Sequence, residues 1–166
     1  MLNLIGMLAE ARVEFVLVGG VAVGLQGCHR PTTNLDVALA MDTVNVQRFL
    51  SVAQFFGLRP TLPVEPNALA QPEMLEQWHR EKGVRVFGLR GPVAEETVVN
   101  VLFRPIVPYA DLRRDAAMID VGPIEIPVAS IAHLIALKTD AGRSQDLTDI
   151  EALRKAHPQK AAQKQN

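Results

Sequence analysis

The stretch "VGGVAVGLQGCHRPTTNLDVAL", Val18 to Leu39, constrains the fold more than any other part of this sequence. An apolar run over residues 14–18 ends in Gly19-Gly20, and a second apolar run opens at "NLD", residues 34–36. Short apolar runs rich in β-branched residues and bounded by glycine read as buried strands. Between them, residues 21–27 read as a short helix and "CHRPTT" as a loop. On the second strand Asn34 and Asp36 lie two apart, so they point to the same face of a sheet.

The rest of the chain extends this plan. Residues 2–13 carry Leu4, Met7, Leu8 and Ala11 at helical spacing. "TVNVQRFLSVAQFFG", 43–57, reads as a helix with Thr43 as its cap and Gly57 as its stop. "LRPTLP" fits a short edge strand, where proline is tolerated. "PNALAQPEMLEQWHREKG" reads as a loop or irregular helix, and Trp78 and His79 within it as a surface anchor. "VRVFGLR" and "TVVNVLF" form two antiparallel strands, "PYADLRRDA" is helical, and "MIDVGPIEIPV" is a hairpin turning at Gly122-Pro123. Residues 130–141 and 146–155 form two helices split by Gly142. The order predicts an α+β fold: a mixed central sheet, flanking helices and a C-terminal helical element. Residues 1–157 read as one domain and 158–166 as a disordered polar tail.

Composition excludes several classes. A net charge of -1 gives no electrostatic footprint for nucleic acid. No apolar run reaches the ~18 residues of a membrane span, and the start lacks a signal-peptide n-region. A single cysteine, Cys28, suits a reducing cytoplasm and excludes a zinc-finger framework. Cys28 and His29 are adjacent on an extended loop and point apart, which argues against nucleophilic catalysis.

Two oxygen ligands on one strand face can serve a pair of Mg²⁺ ions, ~3.5–4 Å apart, in phosphoryl transfer. A glycine pair opening a helix lets backbone N–H groups approach a phosphate. His29 and Arg30 precede the strand and can reach a phosphate or a base. With these features together, the sequence resembles the nucleotidyltransferase superfamily, which has the fold of DNA polymerase beta. Within it, the resemblance is to small bacterial proteins of abortive-infection and toxin–antitoxin systems. Their pattern is an apolar strand, Gly-Gly, a short helix, then R-x-T-x-D-h-D with h apolar. It reads here as Gly19-Gly20, then Arg30, Thr32, Asn34 and Asp36. The closing element matches at Lys138, Gly142-Arg143, Asp146 and Asp149.

The resemblance implies an NTP and Mg²⁺, with Asp36 as the catalytic carboxylate and Asp36, Asn34 and Asn100 at the metal positions. It implies Gly19, Gly20, Arg30, Thr32, Lys138, Arg143 and Asp146 at the nucleotide. Two of the three positions that carry carboxylates in the family are then amides, Asn34 and Asn100. An amide offers a hard cation a carbonyl oxygen but no charge. Loss of even an outer partner costs about 10–100-fold in metal affinity or activity. Glu96 is a possible replacement acid on the strand of Asn100; Asp42 falls at the far end of the second strand. Three functions follow: an active nucleotidyltransferase acting on a hydroxyl of a protein, RNA or small molecule; a pseudoenzyme that binds the nucleotide; or an inactive partner-binding half of a toxin–antitoxin pair. As a bland alternative, Lys138, Arg143, Asp146 and Asp149 form an ordinary charged helix junction.

Overall fold

A computed structural model describes residues 1–28, 31–92 and 98–161. Its strands are β1 (Phe15–Val18), β2 (Asn34–Leu39), β3 (Arg59–Pro60), β4 (Val86–Arg90), β5 (Val98–Leu102), β6 (Ala117–Val121) and β7 (Ile124–Val128). They form one mixed sheet in the order β3-β4-β5-β2-β1-β7-β6. β1 runs antiparallel to β2, and β2 runs parallel to β5. β4 and β5 are antiparallel, as are β6 and β7, in agreement with the sequence reading. Every residue of β1 is buried, which suits an uninterrupted "FVLV" flanked by two strands. β4 and β5 instead alternate between buried and more open positions, because only one of their faces is fully packed.

The helices are α1 (Leu2–Glu10), α2 (Gly19–Leu25), α3 (Thr43–Phe55), α4 (Pro72–Lys82), α5 (Tyr109–Arg114), α6 (Ile131–Ala141), α7 (Ser144–Ala156) and α8 (Pro158–Ala161). Leu8, Leu17, Leu35, Leu89, Val101 and Leu134 are fully enclosed in the core between these elements and the sheet. Asp42, not Thr43, caps α3: its carboxylate accepts from the Asn45 N–H at 3.0 Å, and Thr43 is already the first helical residue. Asn45 is itself buried and acts as a staple. It accepts from the Glu14 N–H at 2.7 Å and donates to the carbonyls of Glu14 and Ala40, both at 2.8 Å.

The uncertain middle folds as a 3-10 turn, Pro66–Ala70, followed by α4. Both prolines stand in a first turn, where no intrahelical N–H is needed. Trp78 is not a surface anchor. It stacks on Phe87 at 6.5 Å and packs against the core, while His79 Nδ1 lies 3.2 Å from the Val84 carbonyl. At the C-terminal end α8 adds a helical turn where the sequence reads as a polar tail. Pro158 starts that turn, and His157 Nε2 lies 2.6 Å from the Gln26 carbonyl, which ties this end to α2.

Candidate functional site

Strand register builds one wall of the site. Val18 pairs with Asp36, Asp36 with Asn100, and Asn100 with Gly88, so these positions lie in one row across four strands. Asn100 Nδ2 donates to Asp36 Oδ1 at 2.8 Å. A carboxylate only accepts, so the amide must turn its NH₂ side toward Asp36. Gly19 closes the other side of that carboxylate. Its φ is +68°, and a Cβ there would stand 2.0 Å from Asp36 Oδ2. The absent side chain at Gly19 therefore makes room for Asp36 in the left-handed turn that leads from β1 into α2.

The second wall is the α6–α7 junction. Gly142, with φ +64°, ends α6 and lets the chain reverse into α7. Lys138 is buried and places Nζ 3.0 Å from Asp146 Oδ1 and 2.5 Å from Asp149 Oδ2. Arg143 grips the same Asp146 as a fork, Nε to Oδ2 at 2.7 Å and Nη2 to Oδ1 at 3.2 Å. Burial pushes the Asp146 carboxyl up, but the hydrogen bonds and charges of Arg143 and Lys138 outweigh it and hold the pKa at about 2. The Asp146 hydrogen bond in turn raises the Arg143 pKa, and the charges of Asp146, Asp36 and Asp149 add to this. The Arg143 side chain is still 76% exposed, so this guanidinium is pinned at one edge and open at the other.

Between the walls lies a cleft of about 420 Å³, within the size range of small-ligand pockets. Its polar part is lined by Gly19, Asp36, Asn100, Lys138, Arg143 and Asp146. Val86, Leu102, Leu134, Leu137 and Ala141 line the rest with apolar surface. Beside Val86 and Ala141, Arg85 Nη1 meets Asp140 Oδ2 at 2.6 Å and ties β4 to α6.

The fold thus gathers six of the residues singled out from the sequence, from Gly19 to Asp146. Gly20 is buried within α2 and does not line the cleft. Thr32 and Asn34 are also absent from the lining. Asn34 is exposed at the start of β2, with its backbone N–H 3.4 Å from Thr32 Oγ1. Arg30, His29 and Glu96 lie outside the described residues. The apolar wall was not anticipated. Its signal was present in the helical spacing of Leu134, Leu137 and Ala141 and in the alternation of Val86 with Gly88 and of Asn100 with Leu102.

The donor set does not fit a pair of Mg²⁺ ions. Such ions take oxygen ligands, with carboxylates supplying the charge. Here the row holds one carboxylate, and its neighbour aims N–H donors at it. Among the described residues no group of three or more His, Cys, Asp or Glu side chains could hold a metal ion.

Solved structures share this architecture. The lincosamide antibiotic adenylyltransferase LnuA, bound to lincomycin, aligns over 93% of this chain and 94% of its own, with TM-score 0.63 and 12% identity. ANT(2")-Ia in complex with adenylyl-2"-tobramycin aligns over 96% and 91%, with TM-score 0.57 and 11% identity. The chain has the nucleotidyltransferase fold. A Thermotoga maritima protein assigned as a nucleotidyltransferase aligns over 92% and 87%, with TM-score 0.53 and 15% identity. No protein-family model and no curated protein matches the sequence. The nucleotidyltransferase fold is therefore carried here by a sequence far from those of the solved structures. Among the described residues no helix is long and apolar enough to cross a membrane.

Proposed function

We propose that this protein is a nucleotidyltransferase-fold pseudoenzyme. It binds a nucleotide in the cleft between the sheet and α6–α7, without metal-dependent transfer of a nucleoside monophosphate. The observation that carries this reading is the Asn100–Asp36 hydrogen bond, 2.8 Å from Nδ2 to Oδ1. It engages one oxygen of the remaining carboxylate internally, at the place where a second acid would be needed for a metal pair. With Asn100 neutral, the row also has no second carboxylate to take a proton from an attacking hydroxyl, and Asn34, two residues before Asp36 on β2, supplies none. The fold supports a nucleotide as the ligand class, and LnuA is by its name an adenylyltransferase, but a fold alone does not carry the chemistry with it.

The test is calorimetric titration of the purified protein with each nucleoside monophosphate and each NTP, with and without Mg²⁺, repeated on an Asn34→Asp, Asn100→Asp double variant. Nucleotide affinity of the wild type should not rise with Mg²⁺, and that of the double variant should. Mg²⁺-strengthened NTP binding by the wild type would overturn the reading. Failure of both forms to bind any nucleotide would also overturn it, and would favour a protein-binding module of the toxin–antitoxin kind.

A further inference from the structure

Resting on that reading, we infer that the cleft takes a nucleoside monophosphate without metal, in preference to a nucleoside triphosphate. The argument begins with the cations. Of the two basic side chains lining the cleft, Lys138 is buried under Asp146 and Asp149 at 3.0 and 2.5 Å. Its ammonium group is committed to those carboxylates. Arg143 has given one edge to Asp146 and offers the other. The described lining therefore presents one guanidinium edge, which matches one phosphate group.

The acid opposite works against a longer phosphate chain. A Mg²⁺ ion would bridge a triphosphate to Asp36, but the donor set there does not fit a metal pair. Without one, phosphates near Asp36 meet a like charge. The same carboxylate is a good acceptor for a neutral donor. Oδ1 is held by Asn100, and the group lines the open cleft, where a ribose hydroxyl can donate to it.

The rest of the lining selects a ring. Val86, Leu102 and Leu137 form an apolar surface beside the polar row, and Val86 is 41% exposed. A flat base laid there removes this surface from water. One ring, one sugar and one phosphate then match an apolar wall, one free acceptor and one free cationic edge. A cleft of about 420 Å³ suits a ligand of that size.

The experiment is a calorimetric comparison of the four nucleosides, their monophosphates and their triphosphates, each in EDTA and in Mg²⁺. It uses the full chain and an Arg143→Gln variant. The expected result is that one monophosphate binds at least tenfold tighter than its nucleoside and its triphosphate, unaffected by EDTA. Arg143→Gln should remove most of the difference between monophosphate and nucleoside while leaving the nucleoside affinity within about twofold. A merely structural role for Arg143 would lower both alike and would overturn the assignment. Triphosphate with Mg²⁺ binding tighter than monophosphate would overturn the inference while leaving a nucleotide cleft in place. No binding by any of the twelve would refute the nucleotide reading itself, and this inference with it.

Discussion

Replacing Gly19 by alanine tests the packing of the site at its tightest point. The new Cβ would stand 2.0 Å from Asp36 Oδ2, 2.6 Å from its Cγ and 2.7 Å from its Cβ. The clash reaches back to the Asp36 Cβ, so rotation of one flexible end cannot relieve it. Two costs add. The left-handed φ of +68° disfavours any L side chain by roughly 1–2 kcal/mol. Displacing Asp36 breaks its hydrogen bond from Asn100, a bond to a charged group worth about 1.5–3 kcal/mol when fully formed. Asp36 is only half-buried, so the lower end of that range applies. The expected destabilisation is about 2–4 kcal/mol, read from the shift in urea midpoint at constant slope. Gly24→Ala is the control. It lies in the same helix with nothing within 4 Å of an added Cβ, and should be neutral or stabilising by up to about 1 kcal/mol. Combining Gly19→Ala with Asp36→Ala should recover only part of the loss, leaving the φ cost and the 2.7 Å approach of the two Cβ atoms. A Gly19→Ala protein within about 0.5 kcal/mol of wild type would refute the reasoning.

Other parts of the structure give further expectations. Asn45→Ala removes three hydrogen bonds from a buried amide, although the Glu14 carbonyl keeps the Ala40 N–H, so it should cost about 2–3 kcal/mol in urea unfolding. Lys138→Met removes the buried cation shared by Asp146 and Asp149, leaving Asp146 to Arg143 and Asp149 to neutral donors such as Gln145, and should cost about 3 kcal/mol at neutral pH. The Asp146 pKa falls from 3.8 to about 2 on folding. Its stabilisation is therefore complete above pH 3.8 and is lost as pH falls through about 2. The loss is about 2 kcal/mol, and Asp146→Asn should flatten the stability–pH curve over that interval.

Much of this was readable in the sequence because local chemistry and tertiary need agree there. The strands β1 and β2 and the short helix after Gly19-Gly20 fell where "EFVLVGG" and "NLD" placed them, and the β6–β7 hairpin followed from its turn at Gly122-Pro123. That Asp36 and Asn100 belong to one site followed from the family resemblance; their pairing across β2 and β5 came from the structure. What sequence did not give was the direction of the Asn100 amide. A carbonyl facing a metal and an NH₂ facing a carboxylate are the same residue, and only the cross-strand neighbour decides between them. Gly19 is similar: its glycine read as space for a phosphate, while its nearest neighbours are Asp36 atoms from the next strand. The helix following Pro72 was legible only as one of two alternatives, loop or irregular helix, because two prolines and a polar face mask its apolar contacts, Leu75 and Trp78. The apolar wall of the cleft was missed because Leu134 and Leu137 look like ordinary core residues until α6 is set opposite Val86.

The most direct measurement of the central claim is Mn²⁺ titration followed by EPR of the free ion, on wild type and on the Asn34→Asp, Asn100→Asp variant. Mn²⁺ takes the same oxygen ligands as Mg²⁺ and its free signal disappears on binding. The account predicts that the wild type leaves the free signal unchanged and that the variant depletes it stoichiometrically. Stoichiometric depletion by the wild type, lost on Asp36→Ala, would contradict the account and restore a metal centre to this cleft.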